Sequence, residues 1–254
     1  PVVNDPEFTI WEAYAVRAWP TTVLIDPRGR VIGTHSGEGV YRVFRDLIAE
    51  ALERYEADGI LDRTPLDEVM PAPASPAGGI LRFPGKVLAD ESGGRLFIAD
   101  TGHHRIVVAT LGGEVVDVIG SGQRGLEDGP YASARFSAPQ GMALDGGILY
   151  IADTENHAIR AADLAARAVS TVAGIGELGY TAGPSTLEEA VLNSPWDLEI
   201  VDGLLYIAMA GLHQIWVLDR NANRIEPYAG TRAEALLDGP RGRAALAQPS
   251  GLTT

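Results

Sequence analysis

The stretch Ile98–Ile106, which reads IADTGHHRI, decides the fold because the chain repeats it. It returns as IADTENHAI over Ile151–Ile159 and, more weakly, as IAMAGLHQI over Ile207–Ile215. A short segment centred on proline precedes each copy and also occurs near the end of the chain: Phe83-Pro84-Gly85, Ala138-Pro139-Gln140, Ser194-Pro195-Trp196 and Gln248-Pro249-Ser250. Both markers recur at about 55 residues, so one structural unit is repeated along the chain.

Each unit contains four short runs of β-forming residues. In the second unit they span 141–144, 148–152, 159–162 and 169–173. Four strands at this period are typical of the blades of a β-propeller, whereas a parallel β-helix has a shorter period and a helical solenoid shows a 3.6-residue pattern. We therefore predict a mainly β fold, with blades at 81–120, 138–174 and 194–230 and the start of a fourth at 248.

The front of the chain has a different pattern. A short helix is predicted over 11–16, a two-strand hairpin over 21–26 and 31–36, and an amphipathic helix over 40–55, where apolar residues recur at i, i+3, i+4 and i+7. Residues 63–80 are rich in proline and read as a semi-rigid linker. The predicted organisation is a front domain at 1–62, this linker, and a repeat domain at 81–254.

Composition excludes several kinds of partner. The formal net charge is −14, which disfavours nucleic acid and anionic membrane surfaces, since both are bound through Lys and Arg. No apolar run reaches the roughly 20 residues that cross a bilayer. With no cysteine, the chain has no disulfide or thiolate metal site of its own. We predict a cytoplasmic protein that binds no cofactor, no nucleic acid and no membrane.

The repeat resembles the NHL family, whose blades carry P-x-G-[IV]-A, then [LI]-Y-[IV]-A-D-[ST], then N-x-R-I. Pro84-Gly85 through Arg105-Ile106 meets this pattern, as does Leu149–Thr154 after Pro139. The third copy departs from it, because Met209 replaces the aspartate and Gln214 replaces the arginine. The resemblance implies a propeller of about six blades, three of them complete here.

Residues 1–60 resemble the C-terminal half of a thioredoxin-like fold, on the stretch Tyr14–Thr22 followed by the hairpin and helix. The resemblance implies a cis proline at Pro20 and a substrate groove formed by Trp19, Pro20 and Thr21. It also implies that the chain is an internal fragment, with any redox cysteine pair lying upstream of Pro1. We expect such an unclosed ring to be poorly soluble.

His104, His157 and His213 occupy one register in three blades, and Asp100 and Asp153 precede threonine in the same turn. The histidines suggest a metal site, but sheets that pack about 10 Å apart separate them too far for zinc ligation at about 2.1 Å. We therefore predict no metal site, with the histidines hydrogen-bonded in the strand connection. The aspartates are interpreted as local Asx turns.

The long loops at 120–138, 174–194 and 230–248 are equivalent connections, and we predict that they lie on one face. Loops of this kind carry most binding sites. The candidate binding residues on them are polar or aromatic: Arg124, Tyr131, Arg135, Tyr180, Arg232 and Arg241. A protein or peptide partner is expected, and Asp128-Gly129-Pro130 is interpreted as a turn within the first of these loops.

Three functions follow from this sequence. The first is a protein-interaction scaffold built on the propeller and coupled to the thioredoxin-like part. The second is a thiol–disulfide oxidoreductase or redox sensor, which requires thiolates that the 254 residues do not supply. The third, a metal-dependent propeller lyase, is the least favoured. No catalytic residue is identified in this chain, so whether it is an enzyme stays open.

Overall fold

The chain divides into two compact units, residues 1–78 and 79–254. The computed structural model describes residues 9–16, 20–37, 40–63, 79–180 and 183–254. Most of the predicted linker and candidate residue Trp19 lie outside the described residues. The unit boundary falls within the proline-rich stretch, near the end of the predicted linker.

The first unit is a hairpin packed on a helix. Its elements are α1 (Thr9–Ala13), β1 (Thr21–Ile25), β2 (Val31–Ser36) and α2 (Val40–Ala57). The strands pair antiparallel from Thr21 with Ser36 to Ile25 with Val31. A side chain at Gly33 would meet Phe44 and Leu47 of α2, so the glycine lets the helix lie close on the hairpin. The hairpin and α2 follow the prediction, whereas the first helix begins two residues earlier than predicted.

Asp26 closes the turn between β1 and β2. Its carboxylate accepts the backbone N–H groups of Arg28 and Arg30, each at 2.9 Å, and the hydroxyl of Tyr55 on α2 at 2.8 Å. The Arg30 side chain donates a further bond at 3.0 Å. The backbone amide of Arg30, the Tyr55 hydroxyl and the Arg30 guanidinium hold the pKa of Asp26 well below its usual range, against the effect of burial.

The second unit consists of three antiparallel sheets, each a propeller blade. The first blade contains β3 (Val87–Asp90), β4 (Arg95–Asp100), β5 (Arg105–Thr110) and β6 (Val115–Ile119). The second contains β7 (Gly129–Pro130), β8 (Pro139–Asp145), β9 (Ile148–Asp153), β10 (Ala158–Asp163) and β11 (Ala168–Ala173). The third contains β12 (Pro195–Val201), β13 (Leu204–Met209), β14 (Gln214–Asp219) and β15 (Arg224–Ala229). The mainly β, partial β-propeller fold is confirmed.

Two apolar cores lie between consecutive blades. Phe97 and Ile106 of the first blade pack with Leu149 and Ile151 of the second. Tyr150 and Ile159 of the second blade pack with Ile207 and Trp216 of the third. Because side chains alternate between the two faces of a strand, neighbouring residues such as Leu149 and Tyr150 contribute to different cores. Each blade is therefore stabilised mainly by its neighbours.

The loop before a blade extends that blade's outer edge. Gly129–Pro130 forms β7 and pairs with Ala168 and Val169 of β11, so the fifth strand of the second blade comes from its preceding loop. In the third blade, Ser185 makes the same type of contact with Ile225 of β15. The interpretation of Asp128-Gly129-Pro130 as a simple turn was wrong, since the segment pairs with a strand 40 residues later and no local signal announces that pairing.

Candidate functional site: the blade junctions and the loop face

Asp153 is a fully buried carboxylate at the end of β9. It accepts the backbone N–H of Ser137 at 2.7 Å, the Asn156 amide at 2.7 Å and the Arg160 guanidinium at 2.9 Å. The Asx-turn interpretation was therefore wrong, because the backbone amide that it satisfies lies 16 residues earlier in the chain. Asp153 joins the entrance of its blade to the turn between the second and third strands.

Asp100 performs the same task in the first blade. It accepts the backbone N–H of Arg82 at 2.6 Å, His103 Nδ1 at 2.9 Å and Arg105 Nε at 2.8 Å. In the second blade Ala158 occupies the register of Arg105, and the cation comes instead from Arg160, two residues further along the strand. Residues i and i+2 face the same side of a strand, so both arginines reach the equivalent carboxylate.

Arg160 is fully buried and binds more than the aspartate. Its two Nη atoms donate to Asp153, to Asp128 at 2.7 Å, and to the backbone carbonyls of Arg135 and Glu127. Among the described residues, its Nε is the one buried side-chain nitrogen or oxygen without a hydrogen-bond partner. Burial raises the pKa of Asp153 to about 6, while Asn156, Ser137 and Arg160 oppose that rise. Sequence reasoning missed Arg160; the i+2 spacing was the available signal.

The third blade builds this position without charge. Met209 and Gln214 are buried there, and Trp216 Nε1 donates to Gln214 Oε1 at 3.1 Å. The Gln214 amide donates to the Gly230 carbonyl at 2.8 Å. Backbone angles barely change, with φ −90° and ψ 77° at Asp153 against φ −87° and ψ 78° at Met209.

Each histidine of the repeated stretch joins one blade to the next. His104, His157 and His213 end short 3₁₀ turns in the left-handed region, with φ of 52°, 49° and 53°. Their Nδ1 atoms accept the backbone N–H of Ala138 at 3.1 Å, Ser194 at 3.1 Å and Gln248 at 3.2 Å respectively. These three donors each precede the proline that begins the next unit, so we call the contacts the histidine junctions.

Threonine reinforces two of the three junctions. Thr101 Oγ1 donates to the Pro139 carbonyl, and Thr154 Oγ1 donates to the Pro195 carbonyl, both at 2.7 Å. In the third blade Ala210 stands at this position. The junction after the first blade and the junction after the second blade therefore each contain two hydrogen bonds. In each case the bonds reach two adjacent residues of the following blade.

The junction geometry gives the histidines a structural role. Each Nδ1 lone pair is used by a backbone amide, and the three imidazoles lie at successive junctions. Among the described residues, no group of three or more His, Asp or Glu side chains is arranged to hold a metal ion. The alternative of a metal site at His104, His157 and His213 gains no support from this arrangement.

The three inter-blade loops contact one another in sequence. A Cβ on Gly176 would lie 2.6 Å from Leu126 Cδ2, which places the second loop against the first. Arg232 Nη2 donates to the Tyr180 carbonyl at 3.2 Å, which joins the third loop to the second. The Asn156 amide donates to the Gly125 carbonyl, so the first loop lies on the same side as the histidine turns. We call this side the loop face.

The candidate residues of the first loop have unequal exposure. Arg124 donates to Ser137 Oγ at 2.9 Å and pairs with Glu155 at 2.9 Å while remaining mostly exposed. Arg135 pairs with Glu127 at 3.5 Å. Tyr131 is only 5% exposed; its hydroxyl donates to the Asp163 carbonyl and burial raises its pKa to about 12. Tyr131 is a core residue, which removes it from the predicted binding surface.

The second and third loops expose apolar side chains. Tyr180 is 67% exposed and Leu236 is 90% exposed, and the other exposed apolar residues of these loops are Ile175, Leu178 and Leu237. The guanidinium of Arg241 lies 4.5 Å from the ring centroid of Tyr228, so a stacked cation adjoins these loops. Of these apolar residues, the sequence analysis selected only Tyr180.

The residues two positions after each repeated proline lie close together. They are Lys86, Gly141, Asp197 and Gly251. Lys86 Nζ donates to Asp197 at 3.0 Å and to the Ser250 carbonyl at 2.7 Å. A groove of about 470 Å³ is lined by residues of β3, β8 and β12, among them Leu88, Met142 and Leu198, and by the acidic residues Asp90, Glu91 and Glu199.

In the first unit, Pro20 immediately precedes β1 and is exposed, and its carbonyl accepts the Gly37 amide at 2.8 Å. The Thr21 hydroxyl lies 2.9 Å from the Ser36 hydroxyl. An apolar groove of about 600 Å³ lies at the other end of the hairpin, beside Asp26 and Tyr55, and not at Pro20. The substrate-groove role of Trp19, Pro20 and Thr21 stays a prediction. Neither described helix is long and apolar enough to cross a membrane.

Comparison with known proteins agrees with this architecture. The NHL repeat model matches residues 81–109 and 136–161. The chain is 38% identical over 275 residues to NHL repeat-containing protein 2 of Gallus gallus, and this match covers 100% of the chain and 38% of that protein. It is 40% identical over 263 residues to Protein SUPPRESSOR OF QUENCHING 1, chloroplastic, of Arabidopsis thaliana, again along 100% of the chain but 25% of that protein.

A solved structure from Bacteroides thetaiotaomicron, described as a structural genomics protein of unknown function, is 28% identical with a TM-score of 0.44. That match covers 48% of this chain and 31% of the other. The chain thus spans well under half the length of the relatives named above. The two stretches matched by the NHL repeat model lie in the first two of the three blades, and these sheets are consistent with a partial β-propeller.

Proposed function

We propose that the second unit is a protein-interaction scaffold that binds a protein or peptide on its loop face. The observation that carries this proposal is the set of exposed apolar side chains on two adjoining loops, of which Leu236 and Tyr180 are the most exposed. Apolar groups exposed together in this way mark interaction surfaces more often than scattered single residues do.

The loops are held in place without these side chains. The backbone carbonyl of Tyr180, and not its ring, accepts the Arg232 bond. Leu237 takes part in a β-bridge with Ala245 through its backbone. The exposed side chains therefore contribute little to the fold, and their truncation is a fair test of binding.

The partner class follows from the chemistry of the face. Apolar and aromatic anchors on loops that also carry arginines and glutamates suit a polypeptide that offers both apolar and charged side chains. Nucleic acid fits poorly because the chain carries a net charge of −14.

Selection from a displayed library of random peptides tests the proposal. The variant Tyr180→Ser with Leu236→Ser alters the loop face, and Leu111→Ser is the matched control, since Leu111 is 54% exposed in the turn between β5 and β6. We expect selected peptides to bind the parent chain and the control but to lose at least tenfold in affinity for the double variant. Equal binding to all three, or no enriched peptide, would refute a loop-face binding site.

We further propose that the first unit is a thioredoxin-like part that presents Pro20 to a substrate. The support is the position of Pro20 directly before β1 and the packing of α2 on the hairpin. The isomer of the bond before Pro20 is measurable from the difference between its Cβ and Cγ carbon shifts. A cis isomer is expected, and a trans isomer would remove the argument for a thioredoxin-like substrate groove.

A further inference from the structure

We propose that His104 and His157 are acid-sensitive latches between consecutive blades, each releasing the following blade when its imidazole is protonated. The proposal rests on the histidine junctions and is independent of any partner. It concerns how the blades are held together, not what they bind.

Each of the two histidines is the acceptor of the hydrogen bond at its junction. A backbone N–H is always a donor, so Nδ1 of each histidine must carry a lone pair to accept it, at 3.1 Å in both junctions. A protonated imidazole has N–H groups at both nitrogens. Protonation would therefore place two donors opposite each other and remove the bond.

The backbone conformation at both histidines is also constrained. Both histidines hold φ near 50°, with the residue's own N–H donating to the first residue of its 3₁₀ turn, Thr101 or Thr154. This fixes the direction of the Cα–Cβ bond, and a protonated ring offers no acceptor at either nitrogen. The donors Ala138 and Ser194 also have positive φ, at 51° and 49°, which residues other than glycine seldom adopt.

Burial and the charged groups close to each histidine affect its protonation. His104 faces Arg124, Arg82 and His103, which disfavour its protonation, and Glu155, which favours it; burial is the largest effect and lowers its pKa. Burial likewise lowers the pKa of His157, against Glu155. Two carboxylates also lie beside the first junction: Asp153, which binds the amide of Ser137 next to Ala138, and Asp100, which binds His103.

A histidine whose pKa is lower in the folded state takes up its proton more readily when the chain unfolds. The junction contribution is complete above the ordinary histidine pKa of about 6.5 and is lost as the pH falls below it. Protonation of Asp153 acts in the opposite direction, because its pKa is raised on folding.

The chain offers a matched pair of variants. His104→Asn with His157→Asn keeps a side-chain acceptor, tolerates the left-handed backbone and does not titrate. His103→Asn is the control: it removes a neighbouring histidine outside the junction, and Asn156 already occupies that position in the second blade, 2.7 Å from Asp153. All three proteins retain Asp153.

The test is hydrogen exchange by mass spectrometry on the 254-residue chain at about pH 7.5 and about pH 5, corrected for the intrinsic pH dependence. We expect exchange at Ala138 and Ser194 to rise by up to about tenfold at the lower pH in the parent and in His103→Asn, the factor expected for the loss of one hydrogen bond of ordinary strength. The double asparagine variant should show no such rise.

Two results would overturn the latch. One is unchanged protection of Ala138 and Ser194 at the lower pH in the parent chain, which requires no variant to fold. The other is an equal rise in the double asparagine variant, which would assign the acid sensitivity to a group other than these histidines.

Discussion

The second and third blades place different chemistry at the same buried position. The second holds Asp153 and Arg160, both without exposed side-chain surface, and the third holds Met209 with the neutral pair Gln214 and Trp216. The strand ends in the same backbone conformation in both. The turn geometry therefore comes from the backbone and the left-handed histidine, and the charged pair is one of two ways to fill the space behind it.

The comparison also shows that the two charges depend on each other. A buried ion pair gains little over well-packed neutral residues, but a buried charge without its partner is costly. In the third blade the aspartate and both arginine positions are neutral together. Changing one member of either set should therefore cost more than changing the whole set.

The largest effect is expected from Arg160→Met, which leaves Asp153 buried with only neutral donors. We expect a loss of about 3–5 kcal/mol in the free energy of unfolding, measured by urea denaturation. The double variant Asp153→Met with Arg160→Met should lose clearly less than the sum of the two single losses. Additive losses would show that the ion pair of the second blade and the neutral residues of the third blade are not equivalent ways to fill this buried position.

The reverse change in the third blade comes next. Met209→Asp buries a carboxylate beside Gln214, where the first blade has Arg105, and we expect a loss of about 3 kcal/mol. Adding Gln214→Arg recreates the pair of the first blade and should recover part of that loss. If the double variant is no more stable than Met209→Asp, the positions of the two blades are not interchangeable.

Arg105→Met should have a smaller effect, of about 1.5 kcal/mol. Its side chain is 27% exposed, so water replaces part of what Asp100 loses, and His103 still donates to that carboxylate. The same urea measurement ranks it against Arg160→Met. A larger loss for Arg105→Met would mean that burial does not set the cost.

The smallest expected effect is a difference in the pH at which two carboxylates, Asp26 and Asp153, titrate. Asp26 has a lowered pKa, so its stabilising effect is complete above the ordinary value of about 3.9 and fades as the pH falls further. Asp153 has its pKa raised to about 6, so its ionisation weakens the fold as the pH rises from about 4 to about 6. Carboxyl carbon shifts should show Asp153 titrating at higher pH than Asp26; the reverse order would contradict both environments.

The regular part of this molecule was predictable from the sequence because its signals are local or repeated. Four of the five strands of the second blade were predicted to within two residues of their ends, since turn residues bound each apolar run. The hairpin and α2 followed for the same reason. Residue Arg160 was missed because its role depends on which face of the strand it occupies and on a carboxylate seven residues away.

Contacts between distant segments set the limit of the sequence reasoning. Tyr131 reads as an exposed loop residue, but its loop folds back on β11 and buries it. The sequence suggests that Asp153 forms a local turn, but the backbone amide that it accepts is that of Ser137 at the entrance of the blade. Exposed Leu236 carries no sequence signal that distinguishes it from a core leucine.

The histidine junction has a polarity that bears on how such a chain lengthens. The preceding blade always supplies the acceptor and the following blade the donor, so the contact is heterologous, and each added unit offers the same acceptor again at its own end. Tandem duplication of one unit of about 55 residues therefore creates a compatible joint without any new complementary surface. The number of blades then depends on the curvature of the array and on the contact between its first and last blades. No individual histidine junction needs to specify that number.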